Sequence, residues 1–286
     1  MAEKKTKIQL PGKLGKHPVK IDRRTINYAS FVNHDTLNET PKEYSWSKKK
    51  KSRWGAMKNI KIDDCTCAAA GHMIQSWTMN ISKPQIISDN HILKAYSDIS
   101  GYNIKTGEND SGATALDFLK YWRKNGIGGH KILAFASVDH KEAKHLMQAI
   151  YLFGGAFGGL QLPKSIIGQD IWDVPETGLK GIGKIGSYGG HAVCLLDYDE
   201  KGLTAISWGR KKKMTWAFWH AYSEEAYIAI SHSFIKSKKT PSGFDISTLE
   251  KELMKATGQK AKLSKQLQSN ISNIKGGKAN IKKSNK

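Results

Sequence analysis

The apolar residues of this 286-residue chain change their spacing once, and that change restricts the folds open to it. From Cys65 to about Phe153 they recur at helical intervals: Ala69, Met73, Ile74 and Trp77 make one stripe, and Leu116, Leu119, Tyr121 and Trp122 another. Four helices are expected, over Cys65 to about Asn80 with Asp64 as cap, "DNHILKAYSDIS" stopped by Gly101, "SGATALDFLKYWRKNG" stopped by Gly126, and "VDHKEAKHLMQAIYLF". Beyond it the runs are short, β-rich and punctuated by glycine: "GAFGGLQLP", "HAVCLLDYD", "GLTAISWG" and "EAYIAISHSF". Helices first and strands later indicate an α+β fold with the two kinds segregated, not alternating βαβ units. A long glycine-rich connection spans about Pro163 to Gly190.

The aromatic and aliphatic residues that could form a core lie between about Arg53 and Ile235, so a compact domain is expected over 51–235. Residues 1–50 form a basic arm or leader, either laid on the domain or partly mobile, and 236–286 a basic tail with one amphipathic helix from Ser247 and a disordered end. The net charge of +21 is concentrated at the ends. Residues 65–235 carry 17 Lys and Arg against 15 Asp and Glu, whereas 236–286 carry 13 against 3. Such a tail attracts nucleic acid or anionic surfaces without sequence preference, although runs such as "KKKKSR" and "RKKKM" are ordinarily solvated.

Three cysteines, Cys65, Cys67 and Cys194, are too few for a disulfide framework, which favours a reducing compartment. With no signal-like start and no apolar run of membrane-spanning length, the expectation is a cytoplasmic protein. "GGAFGGL" lacks the Lys-Ser/Thr of a phosphate loop, and "GIGKIG" does not follow a strand and open a helix. Cys65, Cys67 and His72 offer no fourth ligand at a zinc spacing, so no metal and no cofactor is expected.

A thiol is activated by the unpaired N–H groups and dipole of a helix start, and Cys65 occupies that position. Asp63 and Asp64 oppose it unless they turn away. His72, two turns along at roughly 10 Å, is too far to take the proton and reads as structural. His191 opens an apolar strand after two glycines that would let another segment approach closely.

Cys65 on a helix, then Gly190-His191-Ala192-Val193, then Ser207-Trp208-Gly209 resembles the papain family of cysteine peptidases. "PKEYSW" is similar to that family's Pro-x-x-x-Asp-Trp, with Ser45 in place of the Asp. "NDSGATALDFLKYWRKNGI" resembles its Asn-Gly-Gly segment and following helix, "AIYLFGGAFGGLQL" its passage from helix to strand, and "ISWGRKKKMTWAFWHAYSEEAYIAI" its Asn-Ser-Trp-Gly segment. The likeness runs in order from Pro41 to Ser233. It implies a helical N-terminal lobe on a C-terminal antiparallel sheet or barrel lobe, with a cleft between them.

The resemblance further implies Cys65 as nucleophile, His191 as proton shuttle, and Asn59, six residues ahead, in place of the family's oxyanion-hole glutamine; six before Cys67 stands Lys61. The asparagine that orients the histidine falls on Ile206, so Ser207, or Asp197 or Asp199, is expected to substitute. Ser111 and Gly112 would meet a substrate backbone, and Trp208 would cover the histidine's partner. Cys67, Cys194, Trp216, Phe218 and Trp219 read as packing. The expected activity is hydrolysis of a peptide or isopeptide amide in a peptide or protein substrate. Acyl transfer of transglutaminase type and a binding module without turnover are the alternatives.

Overall fold

Local signals start and stop the helices. The computed structural model describes residues 11–32, 39–49, 54–81, 83–235, 238–247 and 251. Strands β1 (Ile26–Asn27) and β2 (Tyr44–Ser45) precede α1 (Cys65–Ile81), α2 (Asp89–Ser100) and α3 (Ala115–Lys124). The Asp64 backbone carbonyl opens α1, accepting from Cys67 N at 2.9 Å and Ala68 N at 3.0 Å. Ser88 and Thr114 cap α2 and α3 with their hydroxyls, and Gly101 closes α2 in the left-handed conformation that glycine adopts without strain. Every residue of α1 from Cys65 to Thr78 is buried, because α1 is sandwiched between the sheet and the other helices.

The strands are β3 (Ile132–Val138), β4 (Ala156–Leu162), β5 (Ile171–Trp172), β6 (Gly189–Tyr198), β7 (Gly202–Ser207), β8 (Arg210–Thr215) and β9 (Ser223–Ser231), with α4 (Ala143–Phe153) between β3 and β4 and α5 (Trp216–Tyr222) between β8 and β9. Their order is β1-β3-β9-β4-β6-β7-β8-β5, with β2 added to β6. The β1–β3 and β5–β8 pairs are parallel and the rest antiparallel. The mixed α+β architecture, helical half first, is the one the periodicity change implies.

Three elements depart from the sequence expectation. The helix expected over 138–153 begins only at Ala143, because Ile132–Val138 is a strand between β1 and β9 whose near-continuous burial hides its period of two. "RKKKM" is a strand paired with β7 and, at Lys213 and Met214, with the two-residue edge strand β5: Met214 is buried, and Lys212 turns back over the Trp172 ring to donate to Gln169 O at 2.8 Å. "WAFWHAY" forms a helix capped by Thr215 that buries Phe218 and Trp219, while Trp216 is only partly buried. On α3, Phe118 and not Tyr121 completes the buried stripe, since the Tyr121 hydroxyl reaches out to Asp98 at 2.7 Å.

The N-terminal arm, where described, is laid on the domain. Tyr28 and Phe31 pack edge-on against Phe153, and β1 pairs with β3. The packed chain also continues past residue 235, with Phe244 against Phe153 at 4.8 Å and Ile246 fully buried. The expected tail helix, most of the basic tail and most of "KKKKSR" lie outside the described residues. Among the described residues no helix is long and apolar enough to cross a membrane.

Candidate active site

The start of α1 and the start of β6 meet at one sulfur. The Ala192 amide, next in the chain after His191, donates to Cys65 Sγ at 3.3 Å. Cys65 is 1% exposed, and burial pushes its thiol up to about 12; the Ala192 N–H and the Lys16 charge pull the other way, and Asp64 and Asp63 push it further. Asp64 is itself buried, which raises its carboxyl well above the usual range. In this state Cys65 is a neutral thiol. Burial likewise lowers His191 to about 3, so its imidazole is neutral.

His191 is fixed from two sides. Its Nε2 lies 2.9 Å from Ser207 Oγ, and the Trp208 ring stacks on it with centroids 4.5 Å apart and planes 19° apart. Nδ1 is buried and has no hydrogen-bond partner among the described residues. Strand alternation accounts for Ser207 standing where Ile206 does not. Cys194 pairs with Ile206, so those two side chains share a face, and the odd-numbered His191 and Ser207 share the other. Asp197 and Asp199 do not reach the histidine. Asp197 binds Ser45 Oγ at 2.8 Å and Ser47 N at 3.0 Å, and Asp199 holds the β6–β7 turn through Lys201 N and Gly202 N.

The other expected residues divide. Asn59 is buried; its Nδ2 donates to Ile62 O at 3.1 Å and its backbone carbonyl accepts from Lys13 N, so one of the two amide protons is engaged within the loop. Cys67 and Cys194 are fully buried, and all three cysteines are free thiols. His72 binds Gly55 O at 2.8 Å through Nε2.

A segment of the chain itself fills the groove beside this pair. Residues 12–17 run across it as an extended strap. Trp208 Nε1 donates to Lys13 O at 2.7 Å, Tyr188 hydroxyl to Gly12 O at 2.8 Å, and Lys16 N to Gly190 O at 3.1 Å. Ala113 N donates to Gly15 O at 2.8 Å and His17 N to Ala113 O at 3.0 Å, a parallel β-bridge between Lys16 and Ala113. Contact is close enough to require glycine. A Cβ at Gly190 would collide with Lys16 O, and one at Gly15, where φ is +97°, with Asp63 O. Ser111 contributes its carbonyl to the His17 ring, and Gly112 spends its N–H on Tyr96, so the strap pairs with Ala113.

No protein-family model and no curated protein sequence matches the chain. Solved structures do. Xylellain, a cysteine protease from Xylella fastidiosa, superposes with a TM-score of 0.62 at 17% identity, over 77% of this chain and 96% of that one. ProCathepsin B S9 from Trypanosoma congolense gives 0.52 at 10% identity, over 77% and 86%, and procathepsin L 3 of Tenebrio molitor gives 0.50 at 10% identity, over 77% and 76%. The chain has a papain-like fold.

Within this papain-like frame the structure adds residues that sequence reasoning missed. Ala113 and Gly190 supply the backbone partners of the strap, Tyr188 clamps it beside the expected Trp208, and Glu224 and Glu225 receive its lysine. The paired glycines ahead of His191 were the one advance signal, since they promise a close approach without saying by what.

Proposed function

We propose that the chain is a cysteine-dependent hydrolase of peptide or isopeptide amides, with Cys65 as nucleophile and His191 as proton shuttle. The observation that carries this reading is the junction of the α1 start with β6: a thiol at a helix N-terminus, bonded by the amide that follows a histidine whose far nitrogen is held by a hydroxyl. With Nε2–H donating to Ser207 Oγ, Nδ1 keeps the lone pair that takes the thiol proton. The sulfur then attacks the amide carbon. Collapse breaks the C–N bond, the amine leaves with the proton from His191, and water cleaves the thioester to acid and free thiol. Unpaired N–H groups of the first turn of α1, that of Cys65 foremost, stabilise the oxyanion, and the second amide proton of Asn59 joins them.

Turnover requires the strap to leave, because it occupies the backbone partners Ala113 and Gly190 beside a sulfur that is almost fully buried. Its departure also reverses the burial that holds thiol and imidazole neutral. The test is cleavage of a peptide library by the full chain carrying Lys16→Ala, a substitution that loosens the strap. Activity lost in Cys65→Ala and kept in Cys67→Ala on that background supports the reading; activity that survives Cys65→Ala refutes it. The same assay with an added primary amine separates transfer from hydrolysis by the product formed.

A binding module without turnover is the second reading, favoured by the depth at which the thiol is buried and by Ile206 in place of an asparagine. It gains if the loosened chain binds peptides and leaves them intact.

A further inference from the structure

Main-chain pairing of the strap with Ala113 and Gly190 reads no side chain, so beyond the glycine that the close approach at Gly15 demands it cannot by itself choose a peptide. The Lys16 side chain is different. It is 0% exposed, and its ammonium is paired with Glu224 and, at 2.7 Å, with Glu225 Oε1, while donating to His17 O at 2.9 Å. Both acids are held from behind. Gln161 Nε2 donates to Glu224 Oε1 at 3.0 Å and Oε2 at 3.1 Å, and the Tyr227 hydroxyl donates to Glu225 Oε2 at 2.9 Å.

Two consecutive strand residues ordinarily point to opposite faces. Here Gly159 stands opposite Glu225 and Leu160 opposite Ser223, so Glu224 is the extra residue of a bulge, which brings both carboxylates to one ammonium. Gly159 makes the room: a Cβ there would strike Lys16 Cε and crowd Glu225 Cγ. When the strap leaves, Glu225, 5% exposed beneath it, is left without its cation. A buried carboxylate in that position strongly favours a replacement positive charge.

We infer that this pocket is a specificity subsite that takes a lysine-like cationic side chain of the substrate peptide, with Lys16 as its internal occupant. The inference rests on the peptidase reading and names its substrate class. Backbone pairing along Ala113 and Gly190 supplies register, and the two glutamates supply selection.

The test uses the full chain carrying Lys16→Ala, with its fold checked by circular dichroism, and two labelled synthetic peptides. One has the sequence of residues 11–19, PGKLGKHPV; the other has norleucine at the position of Lys16. The lysine peptide is expected to bind at least about thirtyfold tighter, and Glu225→Gln, or the more exposed Glu224→Gln if that variant misfolds, is expected to remove most of the difference. Equal affinity for the two peptides, or no measurable binding of the lysine peptide, overturns the inference. Cleavage assays on peptides scanned with lysine, norleucine and glutamate at each position separate the two claims. Lysine-dependent binding with no Cys65-dependent cleavage leaves the pocket and removes the peptidase; Cys65-dependent cleavage indifferent to lysine at every position does the reverse.

Discussion

Trp208 lies flat against His191, 4.5 Å between ring centroids, while its own indole N–H is given to Lys13 O in the strap. One side chain therefore both fixes the imidazole and seals the groove above it. This ties the protonation of the candidate catalytic pair to the position of the strap.

Loosening the strap should activate the thiol. In Gly15→Ala the new Cβ meets the Asp63 carbonyl at a backbone φ of +97°, which displaces the segment. Alkylation of Cys65 by iodoacetamide at pH 8 is expected to accelerate at least about tenfold as its pKa falls from about 12 toward an ordinary thiol value. Peptide mapping of the labelled chain checks that the adduct is on Cys65 and not on the buried Cys67 or Cys194.

Ser207→Ala removes the hydroxyl at His191 Nε2. On the Lys16→Ala background kcat should fall on the order of 10–100-fold with KM little changed, because orientation is lost and substrate contacts are not. Ser207→Asn, which can offer an amide oxygen to the same nitrogen, should recover part of the loss. Steady-state kinetics of the three chains decide it.

Ile206→Asn should not create an orienting asparagine. Ile206 is buried beside Cys194 on the face away from His191, so the amide enters the core without a partner. The expected result is a loss of about 2–4 kcal/mol by urea denaturation and no gain in kcat.

Acid should destabilise the closed state through His191. Its folded pKa of about 3 lies below the ordinary 6.5, so the unfolded chain binds a proton that the folded chain refuses. Stability is complete above about pH 6.5 and drains as pH falls toward 3. His191→Gln should show a smaller drop in Tm between pH 7 and pH 4 than the parent, read by differential scanning calorimetry at matched ionic strength.

The α+β order, the bounds of α2 and the placement of Cys65 at the head of α1 were legible in the sequence, because periodicity, Ser88 and Gly101 act within one or two turns. β3 was not legible, since a strand buried on both faces carries no alternation, and neither was the lysine-rich β8, whose pairing with β7 outweighs its charge. The resemblance pointed to Ile206 as the problem position, yet only the register of β6 on β7 put Ser207 against His191. Local chemistry thus determined which residues could react. Chain sections far apart in sequence decided what they face: Lys16 between Glu224 and Glu225, and a strap held by Ala113, Gly190 and Trp208, arise from contacts for which sequence spacing has no signal.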